Sequence, residues 1–289
     1  MTRCVRKDRR YDGRVIRRLP WIVALALLLV LLWPSSLDVP PPPSWSGPTL
    51  RVAAVQFDAR PEDKEHNLEA MERLARAAVA DGARVVLFHE SSLIDYTRRL
   101  PELAEQVPSG PSSVRMQALA SELDAVLAFG LSEVAGSRLF ITQVFLGPEG
   151  PIARYRKTWL FHQKGAGLRD EWVRYDPGDG PALFEIDGIR ATTLICSDAD
   201  SDRCVTRARN LRPQIVFFPN NRSNLPEPPS FAHLARRLRA PLIVANRSGR
   251  SWEYDCIGGS TILDADGRAL AQANRSGREE IVLADVPIR

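Results

Sequence analysis

The sequence predicts an α/β fold, and three observations carry that prediction. Short apolar runs of the buried-strand kind recur from residue 50 to the end of the chain. Between them lie segments whose apolar residues repeat at helical spacing. The chain is also long enough, at 289 residues with 44% hydrophobic and 26% charged, to bury a single large core. No internal repeat interrupts the pattern.

The elements follow in order. LRVAAVQF, Leu50 to Phe57, is the first strand. Leu68, Met71, Leu74, Ala75, Ala78 and Val79 then share one helical face, and Gly82 closes the helix. ARVVLF, Ala83 to Phe88, is the second strand, and its unbroken run from Val85 suits a strand covered on both faces. A helix is predicted at Ser112 to Leu123, with strands at Ala125 to Phe129 and Leu139 to Leu146. ARYRKTWL, Ala153 to Leu160, alternates with period two, which puts Tyr155, Lys157 and Trp159 on one face of a strand. Strands are predicted at Ile189 to Ile195, Ile215 to Phe218 and Leu242 to Ala245, and helices at Arg203 to Leu211 and Pro229 to Arg239. Asp266-Gly267 marks a hairpin within Ser260 to Ala271.

The first 48 residues differ in kind. Residues 1 to 18 form a basic head: with eight basic and two acidic side chains, residues 1 to 20 carry +6 of a chain whose net charge is +4. The remainder is therefore −2, so the pI is no sign of nucleic-acid binding. Residues 19 to 33 hold the apolar run WIVALALLLVLLW, read as an uncleaved signal-anchor helix with Trp21 and Trp33 at its ends. A cleaved signal peptide is the alternative, with a secreted or periplasmic product. The charge asymmetry predicts a single-pass protein with a cytoplasmic N-terminus and an extracytoplasmic enzyme. Residues 34 to 48, rich in proline, read as a semi-rigid spacer before a domain spanning 49 to 289.

Three residues close apolar runs in that domain and carry chemistry. Cys196 ends TTLIC, where a thiol leaves a sheet edge, although a lone buried cysteine is more often simple packing. Glu90 follows ARVVLFH at a strand's carboxyl end, the place where open α/β sheets keep their ligands. Lys157 lies between aromatics in ARYRKTWL. A thiol needs a base because only the thiolate is a nucleophile. A lysine can stabilise charge that develops on a substrate oxygen.

Glu90 in LFHESS, Lys157 in RYRKTWLF and Cys196 in LICSDAD together resemble the Glu-Lys-Cys triad of the nitrilase superfamily, the carbon-nitrogen hydrolases. LRVAAVQFDARPEDKEHNLEAM, PLIVANRSG, GGSTILDADGRALAQA and EEIVLADVPI are further matches in the right order, so the resemblance covers about Thr49 to Arg289. It implies a four-layer α-β-β-α sandwich, with pairing into a homodimer. It also implies Glu90 as proton acceptor and donor, Lys157 with the Ser197 backbone N–H as oxyanion donors, and Cys196 as the acyl carrier. A second glutamate often assists in this superfamily, and Glu171 is the position that fits, with Asp170 as its rival. Trp159 departs from the family's usual histidine, and Ser197 from the aromatic residue that commonly follows the cysteine. Lack of a Trp there favours amides over nitriles.

The expected reaction is hydrolysis of a small-molecule or lipid-linked amide. Acyl transfer to an amine, as in the apolipoprotein N-acyltransferases, is the alternative; those enzymes carry several membrane spans. No cofactor and no metal are predicted: His66, His89, His162 and His233 lack metal spacing, and the Asp198-Asp200-Asp202 alternation has Arg203 and Arg209 where a calcium loop needs Gly and Glu. Cys204, in a predicted helix, is the rival nucleophile, and a Cys204–Cys256 bond is left open. The loops Ser91 to Gly110 and Asn220 to Ser230 carry no readable specificity.

Overall fold

The computed structural model describes residues 45–223, 228–252 and 254–289. The basic head, the apolar run and most of the proline-rich spacer lie outside the described residues, and among those described no helix is long and apolar enough to cross a membrane.

Fourteen strands and four α-helices follow one another along the chain among the described residues. They are β1 (Thr49–Gln56), α1 (Lys64–Ala80), β2 (Val85–Leu87), α2 (Pro111–Leu123), β3 (Val126–Ala135), β4 (Arg138–Gly147), β5 (Gly150–Arg156), β6 (Phe184–Ile186) and β7 (Ile189–Thr193). Then come α3 (Asp202–Asn210), β8 (Ile215–Asn220), α4 (Pro228–Leu238), β9 (Leu242–Asn246), β10 (Ser248–Ser251), β11 (Tyr254–Ile257), β12 (Thr261–Leu263), β13 (Ala269–Gln272) and β14 (Glu280–Pro287).

Two six-stranded sheets result, ordered β14-β1-β2-β3-β4-β5 and β13-β12-β9-β8-β7-β6. Each has three parallel strands at its centre, β1-β2-β3 and β7-β8-β9, flanked by antiparallel ones. Period two decides the layering. In β2, Val85 and Leu87 face the second sheet, packing in one cluster with Ile215, Phe217 and Ile243, while Val86, and Phe88 just past the strand, pack with Leu74, Met116 and Leu119 of α1 and α2. In β8, Phe217 points between the sheets, whereas Val216 and Phe218 pack on Val205, Phe231 and Leu234 of α3 and α4. The order of layers is therefore helix, sheet, sheet, helix. Burial of each such side chain contributes about 1.5–3 kcal/mol.

Local signals fix the helix starts. Asp63 accepts a hydrogen bond from the His66 N–H (3.2 Å) to cap α1, Pro111 opens α2, and Ser201 accepts from the Cys204 N–H (3.4 Å) at α3.

Two strand predictions need correcting. The strand expected over Ala153 to Leu160 ends at Arg156, and Trp159 is 53% exposed rather than sharing a buried face with Tyr155 and Lys157. The strand expected to reach Ile195 stops at Thr193, and a 3₁₀ turn takes Cys196–Asp200. In both cases the side chain of Asp198 captures backbone N–H groups that a strand would have used. The hairpin β10–β11 was not foreseen, its polar sequence having no strand signature.

Candidate active site

Four strand ends build the site. Glu90 lies three residues after β2, Lys157 directly after β5, Cys196 three residues after β7, and Arg222 two residues after β8. Strands β2, β7 and β8 are central parallel strands of their sheets, and Glu90, Cys196 and Arg222 follow their carboxyl ends, where open α/β sheets keep their ligands.

The turn carrying Glu90 is clamped to β3. The Leu93 N–H donates to the Gly130 carbonyl (3.0 Å), and the Gly130 N–H donates to Ser92 Oγ (3.0 Å). Gly130 is obligatory there: a Cβ would stand 2.3 Å from the Ser91 nitrogen and 2.9 Å from the Glu90 carbonyl carbon. Lys157 is held by its own N–H donating to the Ile141 carbonyl (2.8 Å).

Both side chains are essentially excluded from water, Glu90 at 1% and Lys157 at 0% exposure. Lys157 Nζ donates to Glu90 Oε1 (2.6 Å) and to Glu171 Oε1 (2.7 Å). Burial alone would lower the Lys157 pKa, but the two carboxylates, Glu171 foremost, hold it above its ordinary value. An ammonium has three donors, so one remains for a substrate. Glu90 Oε2 is buried with no hydrogen-bond partner.

Glu171, not Asp170, joins this cluster. Glu171 accepts from Tyr96 Oη (2.8 Å) on Oε1 and from the Phe161 N–H (2.8 Å) on Oε2; burial raises its pKa, with Lys157 opposing. Asp170 turns away and meets His162 Nδ1 at 3.0 Å.

Cys196 sits on the opposite wall, with φ of +45°, a left-handed conformation that is uncommon for a residue bearing a Cβ. Asp198 makes that turn possible. Its buried carboxylate accepts from the Ile195 N–H (2.9 Å) on the cysteine side, and from Tyr155 Oη (2.8 Å) and the Thr158 (3.0 Å) and Trp159 (2.7 Å) N–H groups on the lysine side. Ser197 Oγ adds a bond to the Trp159 carbonyl (2.7 Å). Nucleophile turn and lysine loop are thus stitched together. Ser197 is the second residue of the 3₁₀ turn, where backbone N–H groups have no partner within the turn. Burial pushes the Cys196 thiol up to about 11; Arg222 and Lys157 pull the other way, and Glu90 and Glu171 add to the rise.

A cavity of about 200 Å³ opens on this thiol, walled by Tyr96, Phe161, Arg169, Glu171, Asn221, Arg222 and others. Glu90 and Lys157 lie behind that wall. The volume suits a small acyl group.

The family described as carbon-nitrogen hydrolase matches residues 51–289. The chain belongs to the carbon-nitrogen hydrolase family. It is therefore an enzyme that hydrolyses carbon–nitrogen bonds. Similar proteins include a nitrilase of Pyrococcus abyssi, 23% identical over 244 residues, covering 83% of this chain and 90% of the relative. An (R)-stereoselective amidase of a Pseudomonas species is 26% identical over 244 residues, covering 82% and 85%. N-carbamoylputrescine amidase of rice, Oryza sativa subsp. japonica, is 27% identical over 238 residues, covering 75% and 76%. Among solved structures, an amidase of Nesterenkonia sp. AN1 with acrylamide added at its active-site cysteine superposes with a TM-score of 0.72 at 21% identity, covering 82% of this chain and 93% of that one. That likeness concerns the fold, a nitrilase-type α/β arrangement of two sheets.

Glu90, Lys157, Glu171 and Cys196 thus gather around one crevice. Sequence reasoning missed Tyr96, Asp198 and Arg222. Asp198 stands two residues past the cysteine, where its alternation with Asp200 and Asp202 suggests only a metal ligand. Tyr96 and Arg222 lie in loops whose patterns carry no signal of direction. Cys204 packs among Val205, Phe218 and Phe231 behind the second sheet, and Cys204 and Cys256 are both free thiols. His89 is fully buried against Phe57, with ring centroids 4.8 Å apart, and its Nδ1 lies 2.9 Å from the Glu90 carbonyl oxygen.

Proposed function

We propose that this enzyme cleaves amides through a thioester on Cys196. One observation supports the reading above the rest: Lys157 Nζ lies between Glu90 and Glu171, 2.6 and 2.7 Å away, beside the same small cavity that exposes the cysteine sulfur.

Glu90 Oε2 takes the Cys196 proton, and the thiolate attacks the amide carbonyl carbon. The C=O π electrons move onto oxygen, where the third Lys157 N–H and the Ser197 backbone N–H receive the charge. Collapse re-forms C=O and breaks C–N, while Glu90 returns its proton to the departing nitrogen. Water then loses a proton to Glu90, adds to the thioester, and expels Cys196 as thiolate, which regains the proton. Glu171 holds Lys157 in place and orients the water or the amide. Ser197 offers no bulk beside the sulfur, which favours amides over nitriles, and the amidases among the relatives agree with that choice.

The basic head and the apolar run over residues 19–33 support an enzyme tethered to a membrane, with its catalytic domain on the outer side. A small-molecule or lipid-linked amide is the substrate class.

Incubation of the full-length chain with small amides, followed by intact-mass measurement, tests the chemistry. The expected result is an acyl adduct mapped to Cys196 and release of ammonia or amine. Product formation that survives Cys196→Ala overturns it. Fractionation of cells making the chain with and without residues 1–33 tests the tether.

A further inference from the structure

We propose that Arg222 is a further catalytic group, the fixed cation that stabilises Cys196 as its thiolate while the proton resides on Glu90. The inference rests on the reading of Cys196 as nucleophile.

Arg222 touches the reacting atom. Its Nε donates to Cys196 Sγ at 3.2 Å, and its Nη2 lies 3.4 Å from Asp200 Oδ2. The side chain is only 18% exposed. Its backbone is fixed on both sides: the Arg222 N–H donates to Asn246 Oδ1 (3.0 Å) and the Arg222 carbonyl accepts from Asn246 Nδ2 (3.2 Å). Asn246, at the end of β9, is fully buried and also donates to the Gly258 carbonyl (3.0 Å). The guanidinium is aimed before any substrate arrives.

Charge explains why a second cation is needed. Lys157 is shared between two carboxylates, so Lys157, Glu90 and Glu171 together leave one negative charge. A thiolate formed against that background faces repulsion that its largely buried surroundings screen poorly. With Arg222 the four ionic groups and the neutral thiol sum to zero. Transfer of the proton from Cys196 to Glu90 then keeps the sum at zero and shifts negative charge from the Lys157 side to the Arg222 side. Tyr96 faces the sulfur as an uncharged phenol, because burial and then Glu171 hold its pKa well above the ordinary value. Arg169 lines the same cavity with its guanidinium 4.7 Å from the Tyr254 ring centre, and Asp200 is more than half exposed. Among the charges acting on the Cys196 thiol, Arg222 is the foremost that lowers its pKa.

Alkylation by iodoacetamide reads this directly. The thiolate displaces iodide, forming S–C and breaking C–I, and the uncharged reagent asks nothing of Arg222 as an anion receptor. The full-length chain, its Arg222→Met variant and its Arg222→Lys variant are labelled across a pH series, with peptide mass spectrometry resolving each cysteine. In Arg222→Met, Cys196 labelling at neutral pH should slow at least about tenfold, the least expected when an opposite charge worth about one to three pKa units is removed. The loss should persist wherever the thiol is the dominant form, which for a thiol raised to about 11 spans neutral and mildly alkaline pH, and Arg222→Lys should recover most of the neutral-pH rate. Equal rates in Arg222→Met and the parent overturn the proposal, as does a lysine variant no better than methionine. A loss seen with iodoacetate but not with iodoacetamide also overturns it, by assigning Arg222 to anion recognition. New labelling at buried Cys204 or Cys256 reports misfolding, in which case Arg222→Gln, keeping a donor without charge, carries the comparison. Failure of the nucleophile reading looks different: Cys196 of the parent chain stays unlabelled, or turnover survives Cys196→Ala, whatever Arg222 does.

Discussion

The two sheets supply unlike halves of the active site. From the first come Glu90 and Lys157, essentially without solvent exposure and bonded to each other, with Glu171 completing the cluster from the following loop. From the second come Cys196, on a left-handed turn, and Arg222, both bordering the cavity. The first half is an ionic cluster whose members depend on one another. The second half is a reactive atom on a scaffold that Asp198 and Asn246 hold in place. The difference teaches that structural and chemical demands are divided: removing the lysine's charge harms fold and chemistry together, whereas removing the sulfur harms chemistry alone.

Cys196→Ala should break the contrast most sharply. Turnover should fall about a million-fold, the scale of losing a nucleophile, while the thermal midpoint stays near that of the parent. A large drop in melting temperature would refute the division. Lys157→Met attacks the other half and leaves two buried carboxylates without a cation, which costs about 3–5 kcal/mol of stability. Denaturant titration should show that loss, and activity should disappear with it. Glu90→Gln retains shape but not the base, so acylation should slow by about 10²- to 10⁴-fold, measured as the rate of adduct formation, with stability changed far less than in Lys157→Met.

His89 sharpens the comparison through pH. Burial, and next the charge of Arg247, lower its pKa from 6.5 to about 3. The folded state keeps the imidazole neutral, so the unfolded chain takes up the proton first. Its contribution to stability is full above about pH 6.5 and is lost as pH falls toward 3, by up to about 1.4 kcal/mol per pH unit. His89→Gln should flatten that slope in melts recorded between pH 7 and 4. The smallest effect belongs to Arg115→Ala. Arg115 meets Glu72 at 2.6 Å and Glu65 at 2.7 Å, much as Lys157 meets its two carboxylates, but it is one-third exposed. Its loss should cost less than about 1 kcal/mol.

Much of this was legible in the chain. Val85 to Phe88 and Ile215 to Phe218 announced central strands because both of their faces are buried, and residues following such strands are where chemistry collects. Glu90 and Cys196 were found that way. Lys157 was found in a period-two pattern that runs past the true end of its strand. Trp159 obeys the pattern yet faces solvent, because Asp198 takes its backbone N–H and turns the chain. Such a contact, 39 residues apart in sequence, has no periodicity to betray it. The same holds for Arg222 and Asn246: both sit in polar stretches whose direction is set by partners distant in the chain.

Gly130 does not line the cavity, yet it bears on how this enzyme can vary. Any side chain there would collide with the peptide that carries Glu90. In a saturation library selected for growth on an amide, position 130 should therefore tolerate as few replacements as position 196. A purely functional screen would not separate the two, so the back of a β-strand would be scored among the residues that make and break bonds.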